Sequence, residues 1–353
     1  MNMNIKNILY IGDLSTKSNS MYRLKALERL GYEVKGVERK TLLNQEPHSL
    51  LNKLHYRTGY VFLQKQLAKN IKMLLQREVG YDLIWINAGE YHGPQVLKLL
   101  KETGKPIVLY NNDDPTGGRD GQRFRSLLKA IPFYDVCAVM RDINVPEYKK
   151  RGAQRVLKVL MSYDELQHQP FKKLTNIPNH LRSEVAFIGT YIPGEKRDAF
   201  FVKLLQAGIP LSLWGNSWEK SKLWSQLKPA YRGAALSGRD YVGAIQGAKI
   251  CLGMLSKGNR DLYTRRSVEI PFAGGLLCAE RTTAHENMYQ EGQQAVFWED
   301  AAECILKCKR LLQDETLRET IRSNGMQRVR QMPAGNEQVC SQIINAAEQL
   351  SHA

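Results

Sequence analysis

The chain has 353 residues, of which 51 are Lys or Arg and 35 are Asp or Glu, so its formal net charge is +16. This length exceeds what one typical hydrophobic core organises and predicts two domains. The composition is globular, with 43% hydrophobic residues. No apolar stretch approaches the ~18 residues that a membrane-spanning helix needs.

The positive charge is concentrated in the first half. Residues 1–180 hold 29 basic and 17 acidic residues, a net charge of +12, whereas the remaining residues hold 22 and 18, a net charge of +4. A basic surface attracts anionic partners, which include a membrane leaflet, an acidic glycan and nucleic acid. Charge alone does not choose among them.

The six cysteines, at positions 137, 251, 278, 304, 308 and 340, show neither a CxxC pair nor a zinc-like spacing. We therefore expect reduced core residues and no metal site. Residues 1–6 lead into a strand-like run without the apolar region of a secretory signal. A cytoplasmic protein is predicted, with peripheral attachment to the inner face of the membrane as an option.

The chain begins with a βα unit. Residues 5–12 form an apolar run that ends in glycine, and a helical pattern follows over 20–30. Open α/β sheets bind ligands at the carboxyl ends of their strands, which makes Gly12 and Asp13 candidates for the acceptor side. An aspartate in a loop before a helix is, however, more often a cap of that helix than a ligand. A GxGxxG fingerprint is absent.

A second strand is predicted over 32–38, followed by a basic amphipathic helix over 49–79. This helix could lie on an anionic membrane, but we favour a helix that covers the sheet with a solvated basic face. A third strand over 81–87 leads into a glycine-flanked loop. Its Glu90 and His92 are candidates for an acceptor pocket or braces of the loop.

Residues 106–118 are the most informative part of the first half. An apolar strand ends in two amides and two carboxylates, and a proline and two glycines then prevent a regular continuation. Asp113 or Asp114 could deprotonate an acceptor hydroxyl as a general base. Alternatively, one of them forms an Asx-turn that caps the next segment.

The βα alternation predicts a parallel, doubly wound α/β sheet in each half of the chain. We place the first domain at residues 1–165, a polar linker at 166–182, the second domain at 183–331 and a last helix at 332–353. In the second domain the strand over 185–188 ends near Gly189 and Thr190, followed by Lys196 and Arg197. These four residues could bind a phosphate. The strand over 211–214 ends in a turn at Gly215.

Residues 261–280 predict a loop, a helix and a strand. Thr264 is the predicted N-cap of a helix over 265–273, the glycines at 274 and 275 stop it, and residues 276–279 form a buried strand. Arg265, Arg266 and Glu269 share one face of the helix. They could bind a diphosphate and the ribose hydroxyls of a nucleotide. The alternative is an exposed helix with an ordinary Arg–Glu pair, against which the interior Pro271 argues.

The stretch from Arg265 to Arg281 resembles the CgeB-like (spore maturation type) family of GT-B glycosyltransferases, and Asp261 and Glu269 frame an acidic-x7-acidic pattern. The resemblance implies two Rossmann-like domains that face each other across a cleft. It places the donor nucleotide on the second domain, where backbone near Arg232 would contact the nucleotide base. It also implies that the last helix crosses back to the first domain. Asp113, after the fourth strand, is similar to the base of phage DNA β-glucosyltransferase.

These residues and the resemblance together predict a metal-independent glycosyltransferase that needs no cofactor. The donor is a nucleotide diphosphate sugar, with a UDP-sugar as the default, and the acceptor is a glycan, a lipid-linked molecule or another hydroxyl compound. Glu269 would bind ribose, and Arg266, Lys196 and Arg197 would bind diphosphate. Two alternatives are a sugar-nucleotide-binding protein without activity and a glycosyltransferase that modifies nucleic acid, which ranks lower because no DNA-reading motif is visible.

Overall fold

The computed structural model describes residues 4–43 and 50–352. The chain divides into two compact units. The first unit is Met1–Leu160 together with Asn336–Ala353, and the second unit is Met161–Gly335. Among the described residues, no helix combines the length and the apolar character needed to cross a bilayer.

The first unit is built on a six-stranded sheet in which every neighbouring pair is parallel, in the order β2-β1-β3-β4-β5-β6. The strands are β1 (Asn7–Gly12), β2 (Glu33–Glu38), β3 (Leu83–Asn87), β4 (Ile107–Tyr110), β5 (Val136–Val139) and β6 (Val156–Lys158). β1 pairs with β2 on one side and β3 on the other, so the direction of winding reverses there. Such a reversal opens a crevice at the carboxyl ends of the strands.

The helices of the first unit include α1 (Asn19–Arg29), α2 (Leu50–Thr58), α3 (Gln64–Arg77), α4 (Pro94–Lys101), α5 (Arg125–Ala130) and α6 (Asn144–Lys150). The prediction of one continuous helix over 49–79 was wrong, and its first residue, Ser49, lies outside the described residues. Gly59 and Tyr60 both adopt positive φ, 67° and 60°, which ends α2. A Cβ on Gly59 would lie 2.2 Å from the Gln122 carbonyl oxygen, so the break also allows close packing.

The second unit has its own parallel six-stranded sheet, in the order β12-β11-β10-β7-β8-β9. Its strands are β7 (Ser183–Ile188), β8 (Leu211–Trp214), β9 (Tyr231–Gly233), β10 (Ala248–Gly253), β11 (Leu277–Glu280) and β12 (Val296–Trp298). Here the winding reverses at β7, between β8 and β10. The two doubly wound parallel sheets confirm the predicted fold class.

The helices of the second unit include α7 (Arg197–Gln206), α8 (Trp224–Leu227), α9 (Gly238–Gln246), α10 (Arg266–Phe272), α11 (Thr283–Met288), α12 (Ala301–Gln313) and α13 (Glu315–Gln331). One core cluster lies between the sheet and helices such as α7 and α12, with Phe201, Leu213 and Ile250 fully buried. All six cysteines of the chain are buried, and none forms a disulfide. This agrees with the prediction of core cysteines.

The last helix, α14 (Asn336–Glu348), belongs to the first unit and packs against α1. Its apolar side is fully buried at Val339, Ile343 and Ile344. Polar contacts fix both ends of the helix. Arg29 Nε donates to Glu337 near its start over 2.5 Å, and Arg155 donates to the Ala346 carbonyl near its end over 2.8 Å. The helix therefore covers one side of the first sheet.

The Ile343→Ala substitution should loosen the first unit selectively. Deleting a fully buried isoleucine side chain removes apolar burial and leaves a cavity, at a cost of about 2–5 kcal/mol. Hydrogen exchange followed by mass spectrometry should show faster exchange in α1 and α14 and unchanged exchange in β7 and β10. The exposed Asn345→Ala is the matched control, and equal exchange in both variants would contradict this packing.

Candidate functional site

The helix α10 starts at Arg266, one residue later than predicted. The Thr264 side chain does not cap it. Instead the Thr264 N–H donates to Ser267 Oγ over 3.1 Å, and this hydroxyl lies 2.7 Å from His285 Nε2. Residues 267–272 are all buried, so the alternative of an exposed surface helix is wrong.

Glu269 is the charged group at the centre of the second unit's candidate site, and it is only 2% exposed. Its Oε2 accepts hydrogen bonds from the Tyr241 hydroxyl over 2.6 Å and from Arg266 Nη1 over 3.2 Å. Burial by itself would raise the pKa of Glu269, but the charges of Arg265 and Arg266 outweigh burial and lower the pKa to about 2. The side chain is therefore a buried carboxylate at neutral pH.

Arg266 joins α10 to the carboxyl end of β7. Its Nε donates to the Ile188 carbonyl over 3.1 Å, and its guanidinium lies 5.1 Å from the centre of the Tyr241 ring. Burial would lower the pKa of Arg266, but Tyr241 and Glu269 outweigh burial and raise it. Because β7 is the strand at which winding reverses, Arg266 and Glu269 lie where an α/β sheet binds its ligand.

Two glycine turns meet beside this point. Gly215, after β8, has φ +147°, and a Cβ there would lie 2.0 Å from the Gly189 carbonyl oxygen. Trp218 Nε1 donates to the same oxygen over 2.9 Å. Thr190 follows Gly189 and is exposed. The predicted residues Gly189, Thr190 and Gly215 therefore lie together at the carboxyl edge of the sheet.

Lys196 and Arg197, predicted as a pair of phosphate ligands, have different surroundings. Lys196 is exposed and adopts a left-handed conformation, φ 55°, directly before α7. Arg197 is buried and donates to the carbonyls of Thr190, over 3.1 Å, and Leu255, over 2.9 Å. Arg197 thus holds two loops at the edge of the sheet, and Lys196 is the cation open to solvent.

The remaining predicted residues of the second unit are less closely grouped. Arg265 is half-buried directly before α10, where its charge acts on Glu269. Asp261 is buried, and its N–H contacts the Ser256 carbonyl at 3.4 Å. Arg232 is exposed and lines a different cavity together with Ser183 and Lys249, which lie at the amino ends of β7 and β10. The structure does not bring Arg232 beside Glu269.

The predicted acceptor residues follow the carboxyl ends of neighbouring strands in the first unit. Gly12 ends β1, and a Cβ there would lie 2.4 Å from Ser20 Oγ, so any larger residue would force the Ser20 side chain to move. Asp13 Oδ1 accepts from the Ser15 N–H over 3.0 Å and from the Ser15 hydroxyl over 2.6 Å. Burial would raise the pKa of Asp13, but these hydrogen bonds outweigh burial and lower it. Asp13 therefore closes a local turn.

Glu90 is buried between two arginines that the sequence analysis did not single out. Its Oε1 accepts from Arg39 over 3.2 Å and its Oε2 from Arg123 over 3.1 Å. His92 is 2% exposed, and neither ring nitrogen has a hydrogen-bond partner among the described residues. Burial and the nearby charge of Arg39 lower the pKa of His92 to about 4, so its ring is neutral at neutral pH.

The two carboxylates after β4 are placed differently. Asp114 is 4% exposed, and its Oδ1 accepts from Asn144 Nδ2 over 2.8 Å. The Asp113 side chain is 30% exposed and lies 3.6 Å from Arg123 Nη2. The turn itself is closed by Asn111, whose Oδ1 accepts from the Asp113 N–H over 2.9 Å. Asp113 thus keeps an accessible carboxylate and Asp114 does not.

Four residues in these sites escaped the sequence analysis. Arg39 follows directly after β2, a position that could have been recognised as a strand end. Arg123 precedes the helix α5 and does not follow a strand, so its position in the sequence gave no indication of a site. Tyr241, inside α9, and His168, in a stretch without regular period, reach Glu269 only through tertiary packing.

Within the described part of the chain, one group of three metal-ligating side chains comes together, Cys278, Cys304 and Cys308. Their sulfur atoms lie within 4.8 Å of one another, and all three residues are fully buried in the apolar core. Hydrogen bonds to Cys304 and Cys308, followed by burial, hold the pKa of the Cys278 thiol well above its usual value. The group lies in the core and contributes no side chain to either candidate site.

The comparisons with known proteins agree with this architecture. Residues 196–336 match a family model described as "Glycosyl transferase-like", which identifies a glycosyl transferase-like domain in the second unit. No curated protein sequence matches the chain significantly.

Among solved structures, the chain is similar to a sucrose-phosphate synthase from Thermosynechococcus elongatus, with a TM-score of 0.70 and 15% identity over 98% of this chain and 99% of that chain. It is also similar to HepE from Anabaena, solved in complex with UDP and glucose, with a TM-score of 0.65 and 14% identity over 99% of this chain and 100% of that chain. A third similar structure is a trehalose-phosphate synthase from Burkholderia xenovorans in complex with glucose-6-phosphate. Its TM-score is 0.64 and its identity 11%, over 97% of this chain and 100% of that chain. The shared fold is that of the GT-B glycosyltransferases.

The buried charge of Glu269 should make stability depend on pH. Its pKa is lower in the folded chain than in the unfolded chain, so its contribution is complete above about pH 4.5 and is lost as the pH falls towards about 2. The free energy of unfolding of the wild type should exceed that of Glu269→Gln at pH 6. This difference should shrink by on the order of 3 kcal/mol between pH 5 and pH 2.

Urea unfolding at several pH values measures this difference. The exposed Glu219→Gln is the matched control and should follow the wild type at every pH. A difference between wild type and Glu269→Gln that stays constant with pH would contradict a buried, ionised carboxylate.

Proposed function

We propose that the protein transfers a sugar from a nucleotide diphosphate sugar to a hydroxyl group, and that it is related to the CgeB-like glycosyltransferases. One observation carries this proposal. A carboxylate and an arginine on α10 lie at the carboxyl end of β7, within the residues that match the glycosyl transferase-like family model. The burial of Glu269, beside an arginine side chain that is 31% exposed, sets the pair apart from an ordinary surface ion pair.

The second unit would bind the donor. Glu269 would accept a hydrogen bond from a ribose hydroxyl, while Arg266 and the exposed Lys196 would offset the negative charge of the diphosphate. The glycine turns at Gly189 and Gly215 would let backbone approach the phosphates closely. A UDP-sugar is the proposed donor, because HepE, which shares the fold, was solved with UDP and with UDP-glucose.

The diphosphate gains one negative charge when its bond to the sugar breaks, and the two cations would stabilise that charge as it develops. On this proposal the chemistry needs no metal ion. Arg197 would act indirectly, since its guanidinium holds the Thr190 and Leu255 carbonyls. Arg265 would add positive charge beside Glu269, and Asp261 would orient the loop before α10.

The first unit would supply the general base. In an inverting transfer Asp113 accepts the proton of the acceptor hydroxyl, the acceptor oxygen bonds to the anomeric carbon, and the bond from that carbon to the diphosphate breaks. The exposure of Asp113 and the engagement of Asp114 with Asn144 support Asp113 in this role. Glu90 and His92 would line the acceptor side, with Gly12 and Asp13 at the neighbouring strand end.

Two substitutions separate donor binding from chemistry. Glu269→Ala should weaken binding of UDP about 10- to 100-fold, because a hydrogen bond to a charged group is lost. Asp113→Asn should leave UDP binding within about twofold and lower kcat about 100-fold or more, because the base is removed. Calorimetry with UDP and product analysis with UDP-sugars measure both quantities.

Glu102→Ala, on the surface just after α4, is a control that should change neither quantity. Equal losses of UDP binding in Glu269→Ala and Asp113→Asn would contradict this division of roles. A wild type that binds UDP-sugars yet transfers no sugar to any acceptor would point to a sugar-nucleotide-binding protein instead.

We also propose that a basic apolar surface of the first unit contacts an anionic membrane and brings a lipid-linked acceptor to the site. Leu51, Leu54 and Phe62 are 61%, 49% and 69% exposed. Leu51 and Leu54 lie on α2 together with the exposed cations Lys53 and Arg57, and Phe62 follows shortly after that helix. Exposed apolar side chains together with lysine and arginine fit the anionic cytoplasmic leaflet.

Binding to lipid vesicles tests this surface. The full chain should sediment with vesicles that contain phosphatidylserine and much less with neutral phosphatidylcholine vesicles. Changing Leu51, Leu54 and Phe62 together to Ser should abolish the difference, whereas the same change at the exposed Leu306 should not. Tighter binding to duplex DNA than to anionic vesicles would overturn this proposal in favour of a nucleic-acid acceptor.

A further inference from the structure

The two oxygens of the Glu269 carboxylate have different surroundings. Oε2 accepts two hydrogen bonds, from the Tyr241 hydroxyl over 2.6 Å and from Arg266 Nη1 over 3.2 Å. Among the described residues, no hydrogen bond reaches Oε1, and His168 Nε2 lies 4.0 Å from it. One oxygen is saturated by the protein and the other is not.

Tyr241 is the residue that creates this asymmetry. It lies on α9, is 6% exposed, and its ring contacts both the Arg266 guanidinium, at 5.1 Å, and the His168 ring, at 5.9 Å. Burial is the main reason that the pKa of Tyr241 lies well above its usual value. The hydroxyl therefore stays protonated at neutral pH and can donate a hydrogen bond. A buried phenol that donates over 2.6 Å fixes the plane of the carboxylate.

His168 limits the space on the other side. Its Nδ1 accepts from the Asp164 N–H over 2.8 Å, so the neutral ring carries its hydrogen on Nε2, the nitrogen nearer to Glu269 Oε1. Burial lowers the pKa of His168, which keeps the ring neutral at neutral pH. The carboxylate is therefore oriented by Tyr241 and Arg266 rather than by a charged histidine.

We infer that Tyr241 is a positioning residue that makes the donor site selective for nucleotides that carry the ribose hydroxyls over those that lack them, because it occupies Glu269 Oε2 and leaves Oε1 for a sugar hydroxyl. This inference rests on the proposed function, in which Glu269 binds the ribose. Without the Tyr241 hydroxyl, Oε2 keeps only the longer bond from Arg266, and the carboxylate can rotate away from the ribose. The selectivity is then lost, although the diphosphate contacts remain.

A cycle of protein and ligand changes tests the inference. Calorimetry would measure the dissociation constants of wild type and Tyr241→Phe for UDP, GDP, CDP and ADP and for their 2′,3′-dideoxy forms. For the nucleotide base that binds best, the wild type should prefer the ribose form by about tenfold. Tyr241→Phe should weaken the ribose form about tenfold and change the dideoxy form by less than about twofold, so the preference disappears.

Tyr289→Phe is the matched control. Its hydroxyl is also buried and donates to α10, to the Ser267 carbonyl over 2.7 Å, but it does not contact Glu269. This variant should lose stability as Tyr241→Phe does and keep the preference for ribose. The same result in both variants would show that Tyr241 only packs α10 in place.

Besides the outcome of the control, three results overturn the inference, and they are distinguishable. Equal weakening of the ribose and dideoxy forms by Tyr241→Phe rejects the role of Tyr241 while the proposed donor site stands. A wild type that binds none of the nucleotides rejects both the proposed function and this inference. A ribose preference that survives in Tyr241→Phe also rejects it, because Glu269 then needs no help from the phenol.

Discussion

The ion pair between the half-buried Arg266 and the buried Glu269 is the interaction on which the second unit's site depends. Taking a carboxylate out of water costs several kcal/mol unless opposite charge and hydrogen bonds replace the lost water. Arg266, Arg265 and Tyr241 supply that replacement, which is why the pKa of Glu269 falls although the residue is buried. Removing one partner of such a pair leaves the other charge without compensation, so each residue fixes the charge of the other at this place.

The parallel sheets explain why the candidate residues lie together at all. In each unit the strands run in one direction, so loops far apart in sequence meet at one edge. The same geometry places Glu90, Arg39, Arg123 and Asp113 in one cluster of charges in the first unit. Each cluster draws on several loops, so a change in one loop alters the charge that the others experience.

Much of the fold could be predicted from the sequence because local residue patterns indicate most of its strands and helices. Apolar runs such as residues 81–87 alternate with amphipathic helices, and that alternation admits few topologies. The boundaries of the helices were harder to predict. The predicted helix over 49–79 breaks at Gly59, which has positive φ and lies too close to the Gln122 carbonyl for a side chain to fit. The spacing of Arg266 and Glu269 correctly put them on one face but gave no sign that the face would be buried.

The partners of the site could not be predicted, since they come from tertiary contacts. His168 lies in a stretch that shows no period, and Tyr241 looks like any aromatic residue on an amphipathic helix. The difference between Asp113 and Asp114 also depends on a distant residue, because Asn144 on α6 occupies one of them. Sequence reasoning found the carboxylates of both candidate sites and missed the residues that orient them, which are Arg39 and Arg123 at Glu90 and Tyr241 and His168 at Glu269.

The return of α14 to the first unit has a consequence for biosynthesis. The ribosome makes β1 to β6 first, yet the part of α1 that packs against α14 stays uncovered until residues 336–348 leave the exit tunnel. The whole intervening unit is translated in the meantime and can fold by itself, since its sheet and core use only its own residues. The nascent chain thus carries an unfinished amino-terminal half, open to chaperones and aggregation, for as long as the remaining codons take to be read.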